Sequence, residues 1–266
     1  MKHLLAALVA VLLLTSQGSA QDWAKARLEK SDRHQEWVTV KHGSREVKCF
    51  VVYPEVATKA PAVLIIHEIF GLSDWARGVV DQFAAAGYIA IAPDLVSGMA
   101  PGGGGTSEFS GQDAIIKAVW ALPADQVTGD LNAAADYVIK LPSCNGHLAV
   151  IGFCWGGGQS FRLATNRHDL AAAVVCYGPT PADDADLARI TCPIYGFYGG
   201  NDSRISSAVP ATRERMKQAG KPYAGVIYPG AGHGFMRSGE DPAGSIPNKK
   251  AHDAAWARVL EVLKGI

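Results

Sequence analysis

Short, unbroken apolar runs constrain the fold of this chain more than any other feature. Ala62-Val63-Leu64-Ile65-Ile66, Tyr88 to Ala92, Leu148 to Ile151, Ala172 to Cys176 and Ile194 to Tyr198 contain no charged residue. A half-exposed strand would alternate apolar with polar residues; unbroken runs rich in Val and Ile read as strands covered on both faces. Between and after them lie segments with helical spacing: Asp74 to Ala86, Asp125 to Lys140, Gly156 to Thr165, Pro210 to Ala219 and Ala251 to Leu263. Pro93 stops one strand, while Pro142 and Gly220 stop two of the helices. Strands alternating with helices imply parallel βαβ units with right-handed crossovers. Ahead of this series, Trp37-Val38-Thr39-Val40 and Glu46 to Tyr53 alternate around the turn His42-Gly43-Ser44. That pattern predicts an antiparallel hairpin at one sheet edge. A further strand is expected over Ala224 to Tyr228. The expected architecture is one doubly wound, mostly parallel α/β sheet with an antiparallel N-terminal hairpin. Ala100 to Ser110, which holds Gly102 to Gly105, is expected to be the most flexible stretch, a loop rather than a lid.

The first twenty residues fall outside that pattern. Lys2 and His3 precede the apolar run Leu4 to Leu14, and Gly18 and Ala20 are the small residues a signal peptidase reads. The run is shorter than the ~20 residues that span a bilayer. The expectation is therefore a signal peptide over residues 1–20, a single domain over residues 21–266, and a periplasmic or secreted location with no membrane attachment after cleavage. Asp22 to Glu36 is polar and reads as a mobile lead-in or a short helix. Basic and acidic residues balance at 25 each, which gives no electrostatic basis for nucleic-acid binding. In an oxidising compartment Cys49, Cys144, Cys176 and Cys192 allow two disulfides or none, with pairing open. No CxxC pair is present, so neither a zinc ribbon nor a thioredoxin-type motif is supported.

The chemistry concentrates at Gly152-Phe153-Cys154-Trp155-Gly156-Gly157-Gly158, which follows the strand HLAVI and opens a helix. This is a nucleophile elbow, G-x-S-x-G, with cysteine in the serine position. The turn is sharp, and glycines on either side of the nucleophile let strand and helix pass closely. A helix N-terminus favours a thiolate, and the Trp155 N–H is free to face an oxyanion. A buried structural cysteine or a phosphate loop are the competing readings, but the latter lacks a following Lys in P-loop spacing. Asp202 follows the strand IYGFY in Gly199-Gly200-Asn201-Asp202, and His233 lies in Gly230-Ala231-Gly232-His233-Gly234 after a further strand. Each alone is ordinary turn or loop chemistry. Together they give the chain order nucleophile, acid, histidine of the α/β-hydrolase fold. Earlier, His67-Glu68-Ile69-Phe70-Gly71 follows the first buried strand. That loop supplies the second oxyanion donor, for which the Ile69 N–H is the candidate. Glu68 is a carboxylate in apolar surroundings, either solvent-facing or placed to influence Cys154.

HEIFGL at 67–72, APDL at 92–95, GFCWGGG at 152–158, GGND at 199–202 and AGHGFMR at 231–237 together resemble the dienelactone hydrolase family, across most of the chain beyond residue 20. The resemblance implies an α/β-hydrolase that cleaves a small lactone or carboxylic ester through Cys154, His233 and Asp202. It implies that Glu68 hydrogen-bonds the resting thiol and takes its proton once substrate binds. It also implies substrate contacts from Arg237 and Phe70. A second family arginine would follow APDL, where this chain has Val96-Ser97-Gly98-Met99. No metal or organic cofactor is expected, and the partner is a small ester or lactone acted on by a monomer. The competing functions are a general short-chain carboxylesterase on the same fold and a non-catalytic binding protein that keeps the fold.

Overall fold

The computed structural model describes residues 21–266; the export leader expected over residues 1–20 lies outside the described residues. In chain order the elements are α1 (Asp22–Leu28), β1 (Gln35–His42), β2 (Arg45–Val52), β3 (Ala60–Ile66), α2 (Asp74–Ala85), β4 (Ile89–Pro93), α3 (Gln112–Trp120), α4 (Ala124–Ile139) and β5 (Cys144–Phe153). They continue with α5 (Trp155–Asn166), β6 (Ala172–Cys176), α6 (Asp184–Ala188), β7 (Ile194–Gly199), α7 (Ser203–Ser206), α8 (Val209–Gln218), β8 (Tyr223–Tyr228), α9 (Phe235–Glu240) and α10 (Ile246–Leu263).

The strands form one 8-stranded sheet in the order β1-β2-β4-β3-β5-β6-β7-β8. β1 pairs with β2 and β2 with β4 in antiparallel fashion; every other neighbouring pair is parallel. The expected hairpin therefore sits at one edge, with Gly43 taking the positive φ its turn needs. The unbroken apolar runs are covered on both faces, as read from the sequence. Val63, Ile65, Ala149, Ile151 and Phe153 enter a core shared with α1, α2 and α10. Their neighbours Ala62, Leu64, Ile66, Leu148 and Val150 enter the opposite core, against α4 and α5. The two-residue period of a strand sends alternate side chains to opposite layers. β8 differs: as the other edge it is half-exposed along its length.

Several elements depart from the sequence expectation. Of the two readings offered for the segment after residue 21, the short helix is the one formed: α1 is held by an Arg27–Glu240 ion pair of 2.6 Å. α10 starts at Ile246 instead of Ala251, with Pro247 in its first turn, where a missing N–H costs nothing. α3 lies just past the glycine-rich stretch and buries Ala118 and Val119. The stretch itself forms two short 3-10 turns, Pro101–Gly103 and Thr106–Glu108. Thr106 anchors the second: its N–H and hydroxyl donate to Asp94 at 2.7 and 2.8 Å, and its hydroxyl oxygen accepts the Leu72 N–H at 2.9 Å. All five cysteines are free thiols, and Cys49, Cys144, Cys176 and Cys192 are buried. Among the described residues, no helix is long and apolar enough to cross a membrane.

The order β4-β3-β5 has a functional consequence. After β3 the chain moves to one side of that strand, and it later returns on the other side as β5. The loops leaving the carboxyl ends of β3 and β5 thus diverge and open a crevice, the usual ligand position in such sheets.

Candidate active site

The two loops at that crevice carry His67-Glu68-Ile69 and Cys154. Cys154 caps α5 with φ 57° and ψ −118°, a conformation L-residues rarely adopt. The turn is enforced by close backbone approach. A Cβ on Gly152 would overlap the Gly156 carbonyl, and one on Gly156 would overlap the His67 carbonyl. The Cys154 N–H is held by the Cys176 carbonyl at 3.0 Å, which fixes the elbow to β6. Such backbone strain costs about 1–3 kcal/mol and persists only where the surroundings over-determine it.

Cys154 Sγ lies 3.0 Å from His233 Nε2, and His233 Nδ1 lies 2.5 Å from Asp202 Oδ2. The structure thus joins three residues from the ends of β5, β7 and β8 into one line of contacts. His233 is exposed but Asp202 is buried, and burial of the carboxylate limits competition from water for the bond between them. Their loops are also tied by the backbone: Asn201 N–H donates to the Ala231 carbonyl at 2.9 Å. Gly232 N–H donates to Asn248 Oδ1 at 2.9 Å, so α10 supports the histidine loop.

The backbone N–H groups of Trp155 and Ile69 both reach the sulfur and favour its ionised form. They are the two donors expected for an oxyanion. Burial nonetheless outweighs them and, with the Glu68 charge, pushes the thiol up to about 11. His67, fully buried, braces the first donor loop: its Nδ1 lies 2.7 Å from the Glu68 carbonyl, and its ring stacks on Trp155 at 5.7 Å.

Glu68 is buried, and its hydrogen bonds go to Arg237 and Tyr177 and not to the thiol as the resemblance implied. Oε2 accepts from Arg237 Nε at 2.7 Å, and Oε1 accepts from the Tyr177 hydroxyl at 3.3 Å. Burial raises this carboxyl above its ordinary range, while Arg237, His233 and Tyr177 act against that rise. Arg237 also lies over the Phe70 ring, 5.0 Å from its centroid. Phe70 in turn lines a hollow of about 1240 Å3 between the β1–β2 hairpin and the segment 94–115. None of Cys154, Asp202 and His233 lines this hollow, so the site is defined by its reactive groups.

Two neighbours had no place in the sequence expectation. Tyr177 has φ 41°, sets its ring edge against His233 at 5.0 Å and donates to Glu68. Its one sequence signal was position, directly past the end of a buried strand. Arg204, two residues past Asp202, brings a positive charge to bear on the Cys154 thiol and favours its ionisation. Among the described residues, no group of three or more His, Cys, Asp or Glu could hold a metal ion.

Comparison with known proteins agrees with this architecture. The model of the dienelactone hydrolase family matches residues 47–266. A protein of Escherichia coli (strain K12) named "putative carboxymethylenebutenolidase" is 31% identical over 215 residues, covering 77% of this chain and 76% of its own. A crystal structure titled "putative dienelactone hydrolase", from Klebsiella pneumoniae, superposes with a TM-score of 0.75 at 24% identity, covering 87% of this chain and 98% of its own. The dienelactone hydrolase of Anabaena variabilis superposes with a TM-score of 0.63 at 20% identity, covering 85% of this chain and 97% of its own. The two superpositions speak for the fold; the family match and the E. coli relative carry the assignment further. On those grounds the chain belongs to the dienelactone hydrolase family, enzymes that hydrolyse lactones and carboxylic esters.

Proposed function

We propose that this enzyme hydrolyses a small lactone or short carboxylic ester through Cys154 as nucleophile, His233 as general base and Asp202 as the group that orients the histidine. The observation that carries the reading is the single line from Asp202 through His233 to Sγ, with separations of 2.5 and 3.0 Å. Asp202 accepts from Nδ1–H, which leaves Nε2 as the lone-pair nitrogen facing the thiol.

A protonated thiol is a weak nucleophile, and burial keeps this one protonated near neutral pH. As the substrate carbonyl settles over Sγ, Nε2 takes the thiol proton and the C–S bond forms. The carbonyl oxygen gains the electron pair and sits between the N–H groups of Ile69 and Trp155, whose alignment precedes the reaction. Removing one such donor typically costs about a hundredfold or more in rate. Collapse expels the alkoxide, which recovers the proton from His233 Nε2. In a lactone, the released hydroxyl stays on the same carbon skeleton. Water then attacks the thioester, with His233 again as base, and releases the acid and the free thiol. The buried Glu68–Arg237 pair, with Tyr177 against both Glu68 and His233, holds the floor of the site in register.

The test is turnover of short esters and lactones by the wild type and by Cys154→Ala and His233→Ala. Both variants should fall to the uncatalysed background, and undiminished activity in either removes the mechanism. Dienelactone belongs in the substrate panel. Export is part of the same proposal and rests on residues 1–20 of the sequence; intact mass of the secreted protein should place its N-terminus at Gln21.

A further inference from the structure

His67 is the first residue past β3, and its side chain is wholly buried. A buried imidazole needs a partner for each ring nitrogen. Nδ1 lies 2.7 Å from the Glu68 carbonyl, and the Leu95 N–H donates to Nε2 at 3.4 Å. A carbonyl only accepts and a backbone N–H only donates, so these partners set one tautomer: Nδ1 carries the proton and Nε2 the lone pair. Burial keeps the ring neutral, outweighing the Asp94 charge and the backbone contacts that favour protonation.

The carbonyl that His67 holds belongs to the peptide unit whose N–H reaches Cys154 Sγ. Among the described residues every peptide bond is trans. A trans peptide is planar, with its C=O and N–H on opposite sides, so fixing the Glu68 oxygen fixes the direction of the Ile69 N–H. The same oxygen accepts the Gly71 N–H at 3.2 Å, which makes the imidazole the shorter of two restraints. A donor on the carbonyl also polarises the peptide and strengthens its N–H as a donor.

The other donor residue touches the same ring. Trp155 stacks on the imidazole at 5.7 Å and 19°. The His67 carbonyl packs so closely on Gly156 that a Cβ there would lie 2.3 Å from it. Leu95 belongs to the segment after β4. One residue therefore joins the loops after β3, β4 and β5, and two of those loops carry the oxyanion donors.

We propose that His67 is a positioning residue for the hydrolysis, whose Nδ1–H orients the Glu68–Ile69 peptide so that the Ile69 N–H meets the oxyanion. The proposal rests on the Cys154 reading above and adds to it what aims the first donor. His67 acts through this peptide and not on the substrate.

The test separates the donor from the ring. His67→Asn places an amide N–H where Nδ1–H was but takes the ring away from Trp155; His67→Phe keeps a ring and removes the donor. With phenyl acetate, His67→Phe should lower kcat about tenfold to a hundredfold with little change in KM, because an oxyanion donor acts chiefly in the transition state. His67→Asn should recover most of that loss. A trifluoromethyl ketone, whose thiol adduct carries an oxyanion, should lose affinity for His67→Phe by a similar factor. Equal losses in the two variants, the opposite order, or a wild-type kcat in His67→Phe overturns the proposal. The wild type supplies a check that needs no variant to fold: nitrogen-15 spectra near neutral pH should show one solvent-protected neutral histidine with its proton on Nδ1. A proton on Nε2 of that residue also overturns the proposal. If Cys154→Ala is inactive while His67→Phe turns over like the wild type, the hydrolytic reading survives and the role of His67 alone is lost. If Cys154→Ala retains full turnover, both are lost.

Discussion

Glu68 is held by Arg237 at 2.7 Å, so a carboxylate that lies close enough to act on the Cys154 thiol is kept in place by a residue from the histidine loop. The two partners are 169 positions apart in the chain. The charge of Glu68 and the burial of the sulfur both oppose thiolate formation. In the absence of substrate, iodoacetamide should therefore react slowly. With the thiol up at about 11, the thiolate fraction at pH 8 is on the order of 100-fold below that of an unperturbed cysteine. Glu68→Gln removes one of the two causes and should speed alkylation at pH 8. An equal rate in that variant would show that burial alone sets the ionisation.

Asp202 and His233 make the second prediction. Asp202→Asn keeps the shape of the side chain but offers the histidine an N–H where it needs an acceptor. The imidazole is then held in the wrong tautomer for accepting the thiol proton. kcat should drop about a hundred- to ten-thousand-fold with little change in melting temperature. A drop of less than tenfold would mean that Asp202 does not set the tautomer.

Stability should depend on pH through Glu240 and His252, which link the helices on one face of the sheet. Glu240 is buried and faces Arg27 at 2.6 Å, His252 at 3.4 Å and the Trp75 indole at 3.0 Å. Burial alone would lower His252, but Glu240 and Asp253 outweigh it and raise it above 6.5. The stabilisation it contributes is complete below the unfolded value and disappears as pH rises through the higher folded value. For Glu240, burial acts upward, but His252, Arg27 and Trp75 bring it below 4.5. Its share is present above that ordinary value and disappears as pH falls through the lower folded value. Wild type should thus exceed His252→Gln by roughly 2–4 °C in Tm at pH 6, about 1 kcal/mol, with the gap closing by pH 9. A gap that widens with pH would reverse the sign of this account.

Thr106 carries the fourth prediction. Thr106→Val preserves the shape but removes the hydroxyl that links Asp94 to Leu72. The Leu72 N–H then has no acceptor, at a cost of about 1–3 kcal/mol. Proteolysis within Gly102–Gly105 should accelerate, read against the unfolding midpoint in urea. Unaltered proteolysis would place the anchor of this segment elsewhere.

Much of the architecture was legible because it rests on local pattern. Unbroken apolar runs gave the buried strands, and the elbow with its flanking glycines marked where β5 hands over to α5. Cys154, Asp202 and His233 were legible as candidates because each lies directly past a strand. The ends of helices were less so. Pro247 and the polar residues around it hid the start of α10, whose first turn needs little apolar surface. The anchor of the glycine-rich stretch was not legible for a related reason: it is one threonine at its end, and a hydroxyl in a polar loop has no distinctive spacing. Tyr177 and Arg204 were missed because their relevance arises only when β6, β7 and the histidine loop converge. The direction in which Glu68 turns is decided by Arg237, a contact that no local window contains.

The thiol inventory gives the protein a built-in record of its own opening. Cys154 is the one half-exposed thiol, while Cys49 lies in β2, Cys144 at the start of β5, Cys176 at the end of β6 and Cys192 just ahead of β7. With no disulfide among them, folding does not wait on an oxidant. A folded molecule presents one thiol to solvent and a denatured one presents five. Pulsed labelling followed by mass spectrometry therefore counts intact molecules. The order in which the four core cysteines take up label reports which strands separate first.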